Sequence, residues 1–258
     1  MGDQLRVARV GDVLRITLDR PERLNAAPPA LFDAIRAALA DRGNARAVLI
    51  DAAGRAFCSG ADIAAFAGAV DGPAATRAAL TDHYHPTLQA IADLDVPVVS
   101  AVRGPAAGIG CSLALAADFC VASDSAYFLQ AFVNIGLVPD GGASWMLPRL
   151  IGRARAARMM LLGERIDAAT ALDWGMIHAV VPDEALDAEA LALAQRLAAG
   201  PTVALGLARR NLTHAFDSDY PTAMAREAEA QATARATADA VEGATAFLAR
   251  RSPRFEGR

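Results

Sequence analysis

Three stretches of this 258-residue chain gather the residue types that bind and move charge. Residues 56–63 (AFCSGADI) and 104–110 (GPAAGIG) are glycine-rich junctions between strand-like and helix-like sequence. Glycine lets a backbone turn sharply and approach a ligand, and a helix start leaves its first N–H groups without partners. Such amides could bind an oxyanion, although a pair of tight turns would account for the same composition. Neither stretch has the G-x-G-x-x-G spacing of a dinucleotide site. In residues 135–145 (IGLVPDGGASW), one carboxylate, Asp140, stands between a proline and two glycines with apolar residues on either side. Partial desolvation there would raise its pKa into a range suited to proton transfer. Capping of a helix that begins near Gly142 is the alternative role for this residue.

Other residue types narrow the chemistry further. All 25 basic residues are arginines. With no lysine, Schiff-base catalysis and the lysine-dependent phosphate loop are both excluded. Cys58, Cys111 and Cys120 are odd in number, sit in hydrophobic surroundings and lack metal-ligand spacing, so free buried thiols in a reducing compartment are expected and no metal is. His85, beside Tyr84 and Pro86, is a lone histidine of the kind usually found at a helix end or surface. A net charge of -4, scattered along the chain, offers no footprint for nucleic acid or an anionic membrane. Arg6, Arg9, Asp12 and Arg15 interrupt any N-terminal leader, and no run approaches the ~18 apolar residues of a membrane span. A soluble cytoplasmic protein is the expectation.

The elements that must position these segments read as a mainly parallel α/β arrangement. Residues 7–18 break at Gly11 and Asp12 and then alternate, with Leu14, Ile16 and Leu18 on one face, which predicts a hairpin feeding a half-buried strand. Residues 29–40 carry Leu31, Ile35 and Leu39 at helical spacing behind a proline. Strands are expected at 48–50, 96–102 and 119–122, and a helix at 111–117. Short apolar strands with helical crossovers favour parallel pairing. Beyond Pro148 the chain turns alanine-rich, with helices expected at 153–162, 168–174, 188–199, 202–216 and 222–249 and stops at Gly163, Gly175 and Gly200. Residues 64–87, rich in alanine and glycine, suggest a mobile segment that would set the wall of a pocket.

Taken in order, residues 19–26 (DRPERLNA), 56–63, 104–118, 135–150, 161–164, 168–177 and 247–255 (FLARRSPRF) resemble the enoyl-CoA hydratase/isomerase, or crotonase, family almost end to end. The resemblance implies an α/β fold, a crotonase-like (ClpP/crotonase) spiral of ββα units, with a core over residues 1–200. Residues 201–258 would form a helical region that assembles a homotrimer or a hexamer of paired trimers. It implies a small-molecule acyl-CoA substrate, no cofactor beyond the coenzyme A of that substrate, and no nucleic-acid or membrane partner. The thioester oxygen would lie between the amides of Ala61 and Ile109, where an enolate is stabilised by preorganised donors. Ile109 replaces a common glycine, which matters only if its backbone angles forbid a β-branched residue. Arg23, Leu24, Ala56, Ala61, Asp62 and Ile63 match the stretches that line the CoA pocket. Phe247 and Arg250 would reach the CoA of a neighbouring subunit, unless they belong to a solvated basic tail.

Departures from the family decide the expected reaction. Two glutamates of the well-known hydratases are replaced by Ser112 and Phe132, whereas Asp140 lies where enoyl-CoA isomerases and the ring-opening isomerases of phenylacetate breakdown carry their acid/base. One carboxylate suffices for a 1,3-proton shift, so an enoyl-CoA isomerase is favoured. Alternatives are a hydratase working through Asp140 or a water held by Ser112, a non-catalytic acyl-CoA-binding protein, and, more remotely, a CoA-thioester dehalogenase using His85 or a hydrolase using Ser112. No G-x-S-x-G surrounds Ser112.

Overall fold

The computed structural model describes residues 4–62 and 72–258. Two strands, β1 (Leu5–Val10) and β2 (Val13–Leu18), form the expected antiparallel hairpin, with Val10 paired to Val13 across the turn. Helix α1 (Pro29–Ala40) buries Leu31, Phe32, Ile35 and Leu39, the stripe its 3.6-residue spacing dictates. It returns the chain to β3 (Ala47–Ala52), which is parallel to β2.

Residues 72–92, which take in part of the 64–87 stretch expected to be mobile, are helical. They form α2 (Gly72–Ala78), a π-helical turn (Ala79–Tyr84) and α3 (His85–Ala92) in direct succession. Helix α2 buries nothing, so its sequence carries no apolar stripe to betray it. Residues 64–71 of that expectation lie outside the described residues.

After α3 come β4 (Val98–Val102), a short β5 (Pro105–Ala107), α4 (Ile109–Leu115), β6 (Phe119–Ser123) and β7 (Tyr127–Leu129). The remaining elements are α5 (Ala143–Leu162), β8 (Arg165–Asp167), α6 (Ala168–Asp173), β9 (Ala179–Val181), α7 (Leu186–Ala198), α8 (Thr202–Ala215), α9 (Tyr220–Arg235) and α10 (Ala238–Leu248). Helix α5 begins ten residues before the expected start at 153 and is kinked at Gly152 (φ 76, ψ 159). The helix expected over 222–249 is two helices: the Thr237 side chain accepts the Ala240 N–H and starts α10 afresh.

The larger sheet has the order β1-β2-β3-β4-β6-β9, parallel except for the first hairpin. One face of it, with Leu14, Ile16, Leu18, Val48 and Ile50, packs into the main core with α1, α4 and α5. The other, with Val13, Leu49, Val99, Ala101 and Val121, is covered by Leu186, Ala190, Ala194 and Ala198 of α7. Strands buried on both faces read as continuous apolar runs, which is why β3 and β4 were legible. A second sheet, β5-β7-β8, is extended by isolated parallel bridges Cys58↔Ala106 and Ala27↔Ala61. This second layer carries the glycine-rich segments.

Two arginines, Arg209 buried and Arg46 half-buried, tie the helical remainder to the core. Arg209 of α8 donates to the carbonyls of Ile91, Ala92 and Leu94 and to Asp118. Arg46 donates to Thr202, Gly200 and Phe255. Helices α9 and α10 leave Tyr220, Met224, Val241, Phe247 and Leu248 exposed, the last two above 80%. Among the described residues no single helix is long and apolar enough to cross a membrane.

Candidate active site

Residues 56–62 and 104–109 are neighbouring parallel segments and not isolated tight turns. Phe57 N–H donates to Arg103 O at 2.7 Å, Cys58 N–H to Pro105 O at 3.0 Å, and Ala107 N–H to Cys58 O at 2.9 Å. The segments stay in contact to their ends. A Cβ at Gly108, whose φ is +54, would lie 3.9 Å from the Gly60 Cα and 3.3 Å from the Phe132 ring. That left-handed position suits glycine, and the strain falls on it and spares Ile109, which has ordinary helical angles as the first residue of α4. The register therefore brings Ala61 and Ile109 to the same level, one residue beyond Gly60 and Gly108.

Neither Ala61 N–H nor Ile109 N–H has an acceptor among the described residues. For Ile109 the reason is the open N-terminus of α4. For Ala61 it is the bridge with Ala27. Ala27 N–H donates to Gly60 O at 2.8 Å, and Asp62 N–H donates to Ala27 O at 3.1 Å, so parallel pairing turns the intervening Ala61 N–H to the other side.

Asp140 is seated on the first turn of α4. A Cβ on the adjacent Gly141, itself at φ +61, would lie 2.4 Å from Ile109 Cδ1 and 2.9 Å from Ser112 Cβ. The buried Ser112 hydroxyl donates to the Asp140 carbonyl at 3.2 Å, and Ala143 N–H donates to the same oxygen at 3.1 Å. The carboxylate does not cap α5: the N-cap is Gly142 and no side chain bonds there. Asp140 Oδ1 is buried without a partner among the described residues, and burial pushes the carboxyl up from its usual range to about 6. Asp62 offers no such freedom, because it is ion-paired to Arg20 at 3.1 Å.

Two residues at the site have no counterpart in the sequence reading. Asn25, fully buried at φ 54, accepts from Arg20 N–H and donates to the carbonyls of Ala53 and Ala56, pinning residues 20–27 against 53–56. Its left-handed conformation and short amide suit this loop. Tyr84, from the π turn, donates its hydroxyl to Ala27 O at 2.7 Å. Burial raises this phenol's pKa, and Asp140 is the next cause, so the two groups sense one another.

Ala61, Ile109, Ser112, Phe132 and Asp140 are thus brought together. Ala56 is buried and Leu24 half-buried beside them, with Arg23 exposed on the same loop; Ile63 lies outside the described residues. Phe247 and Arg250 are exposed at the end of α10, whose partners among the described residues include α9 and the C-terminal tail. His85 is exposed on α3 and its side chain makes no hydrogen bond or ion pair among the described residues, which matches the surface alternative. Cys58, Cys111 and Cys120 are free and buried, with pKa values raised by desolvation to about 11, 12 and 12. They remain neutral thiols. A separate cavity of about 400 Å³ on the α7 side of the larger sheet is lined by Arg6, Arg15 and Arg103. Each of these already pairs with an aspartate, so it offers no free cation to an anion.

The sequence and the described fold match known proteins over nearly the full chain. A family model described as enoyl-CoA hydratase/isomerase matches residues 9–258. A "Probable enoyl-CoA hydratase" of Rhodobacter capsulatus is 44% identical over 244 residues, covering 94% of each chain. The 1,2-epoxyphenylacetyl-CoA isomerase of Escherichia coli is 41% identical over 254 residues, covering 95% of each. Among solved structures, an enoyl-CoA hydratase from Bacillus anthracis superposes with a TM-score of 0.94 at 30% identity, covering 99% of this chain and 100% of that one.

Proposed function

This chain belongs to the enoyl-CoA hydratase/isomerase family and is an enzyme of the crotonase fold; within that family we propose that it is an enoyl-CoA isomerase whose acid/base is Asp140. The observation that carries this reading is one partly desolvated carboxylate, with a buried oxygen that has no partner among the described residues and a pKa of about 6, seated on the helix turn that starts with Ile109. The positions that hold glutamates in the well-known hydratases carry Ser112, engaged with the Asp140 main chain, and Phe132, half-buried against Gly108.

In the proposed reaction the thioester oxygen of a 3-enoyl-CoA accepts from the Ala61 and Ile109 amides. Ionised Asp140 takes a proton from C2, and the C–H electron pair moves through the carbonyl carbon onto that oxygen to give a dienolate. Each amide donor contributes about 3 kcal/mol by bonding more strongly to the developing charge than to the neutral carbonyl. The protonated carboxyl then delivers the proton to C4 as the charge returns, and the double bond ends between C2 and C3. A carboxyl near pKa 6 suits both halves, being ionised at neutral pH yet a competent acid once protonated.

Arg23, Leu24, Ala56, Ala61, Asp62 and Ile63 are proposed to line the CoA channel, with no further cofactor. The exposed Phe247 and Arg250 would complete it from a second copy in a trimer or hexamer, built through the helical residues 201–258 beyond a core over 1–200. A cytoplasmic location goes with this metabolic role.

Hydration is the second reading, favoured by the name of the Rhodobacter relative and by a buried hydroxyl at Ser112. Assaying the purified protein on a 3-enoyl-CoA and on a 2-enoyl-CoA side by side separates the two. Isomerisation at least tenfold faster than hydration is expected, and the reverse order would replace this proposal by the hydratase reading. Thioester binding with no turnover of either would leave an acyl-CoA-binding protein.

A further inference from the structure

The Ala27 carbonyl accepts two hydrogen bonds with different sources. One, from Asp62 N–H, belongs to the Ala27–Ala61 bridge. The other comes from the Tyr84 hydroxyl at 2.7 Å, across 57 residues of sequence. Tyr84 is 2% exposed, and its ring packs edge-on to Phe32 with centroids 4.7 Å apart. It ends the π-helical turn Ala79–Tyr84. One added residue per turn rotates the downstream side chains relative to an α-helix, and such turns recur where a side chain must be re-aimed.

The ring and the hydroxyl do different things. Phenylalanine would fill the same space against Phe32, so packing alone does not call for the oxygen. The hydroxyl's partner is a carbonyl whose peptide neighbours fix the direction of one site amide. Ala27 is held from the main chain by Gly60 and Asp62 and from the side by Tyr84. A shift of that carbonyl would carry residues 60–62 with it.

We infer that Tyr84 is a positioning residue for the thioester-binding amide of Ala61, its hydroxyl fixing the Ala27 carbonyl and, through the bridge, the direction of the Ala61 N–H. This rests on the oxyanion role proposed above for Ala61. In this role the phenol acts through the Ala27 carbonyl, and it stays protonated throughout because burial and the nearby Asp140 charge oppose its ionisation.

The test is isotope-edited infrared spectroscopy of a saturated acyl-CoA carrying 13C at the thioester carbonyl, bound to the intact protein, alongside kcat and KM for isomerisation. Three forms are compared while folded: wild type, Tyr84→Phe and Thr87→Val. Thr87 is a buried hydroxyl one helical turn on, donating to Phe32 O and His83 O and not to the bridge. In wild type the carbonyl stretch moves to lower frequency on binding. With Tyr84→Phe that shift shrinks, kcat falls about 10-fold and KM stays within about 2-fold, as expected for a misdirected donor. Thr87→Val loses thermal stability and leaves the stretch unmoved. An unchanged shift and kcat in Tyr84→Phe, or equal losses in both variants, overturns the assignment to Tyr84. A wild type with no shift overturns the oxyanion reading beneath it.

Discussion

The Ser112 hydroxyl lies 3.2 Å from the Asp140 main-chain carbonyl and donates to it, joining α4 to the turn that carries the carboxylate. Ser112 is 1% exposed, and its Cβ stands 2.9 Å from where a side chain on Gly141 would begin. The space beside the first turn of α4 is therefore filled by the Asp140–Gly141 turn. Ser112 thus holds the main chain of an aspartate that is 28 residues further along the sequence.

Removing that hydrogen bond should loosen Asp140 without touching substrate. Ser112→Ala is expected to lower kcat about 10-fold with KM little changed, and to cost about 1 kcal/mol of stability. Steady-state kinetics and urea denaturation check both parts.

Gly141 has little room for a side chain. Gly141→Ala sets a Cβ at φ +61 against Ile109 Cδ1 and Ser112, and is expected to destabilise by about 2 kcal/mol. Activity should fall further than at Gly11, an exposed positive-φ glycine whose Cβ would meet nothing within 4 Å. Comparing the two alanine variants by melting and turnover separates local strain from site displacement.

Stability should depend on pH through Asp140. Its folded pKa, raised from 3.8 to about 6, means the folded state favours the protonated carboxyl. The relative stabilisation is fully present below about 4 and is lost as pH rises through about 6. Above that, the ionised and partly desolvated carboxylate costs the folded state about 3 kcal/mol. Asp140→Asn should therefore melt higher than wild type at pH 8, with the difference closing towards pH 4. A lower melting temperature at pH 8 would contradict the desolvated environment.

Asn25 is the staple between residues 20–27 and 53–56. Asn25→Ala removes the partner of the Ala53 carbonyl, of the buried Ala56 carbonyl and of the Arg20 amide, and is expected to cost about 3 kcal/mol. Thermal melting checks this, and a loss under about 1 kcal/mol would show the loop to be held by something else.

The exposed Phe247 and Leu248 predict assembly. Light scattering should find a trimer or hexamer, and replacing both by glutamate should give smaller species with a raised KM for CoA thioesters.

Elements with strong periodicity were legible in the sequence. Helix α1 has its expected bounds because Leu31, Ile35 and Leu39 mark one face, and β3 and β4 read as buried apolar runs. Helix α2 escaped because it buries no residue, and the break at Thr237 was hidden by alanine on both sides. In the site, Asp140 stood out through its proline and glycine neighbours. Tyr84 did not, because its meaning lies in a carbonyl 57 residues away, and long-range pairing leaves no local pattern. The same holds for Asn25, whose partners at Ala53 and Ala56 meet it only after the chain has folded back.

The most direct test of the central claim is the rate at which Asp140→Asn isomerises a 3-enoyl-CoA, measured beside wild type from pH 5 to 9. The account expects wild-type kcat/KM to fall as pH drops below about 6, where the carboxylate takes up its proton. It expects the variant to be slower by about 10³-fold or more at every pH. A folded Asp140→Asn variant that turns over at the wild-type rate would contradict it.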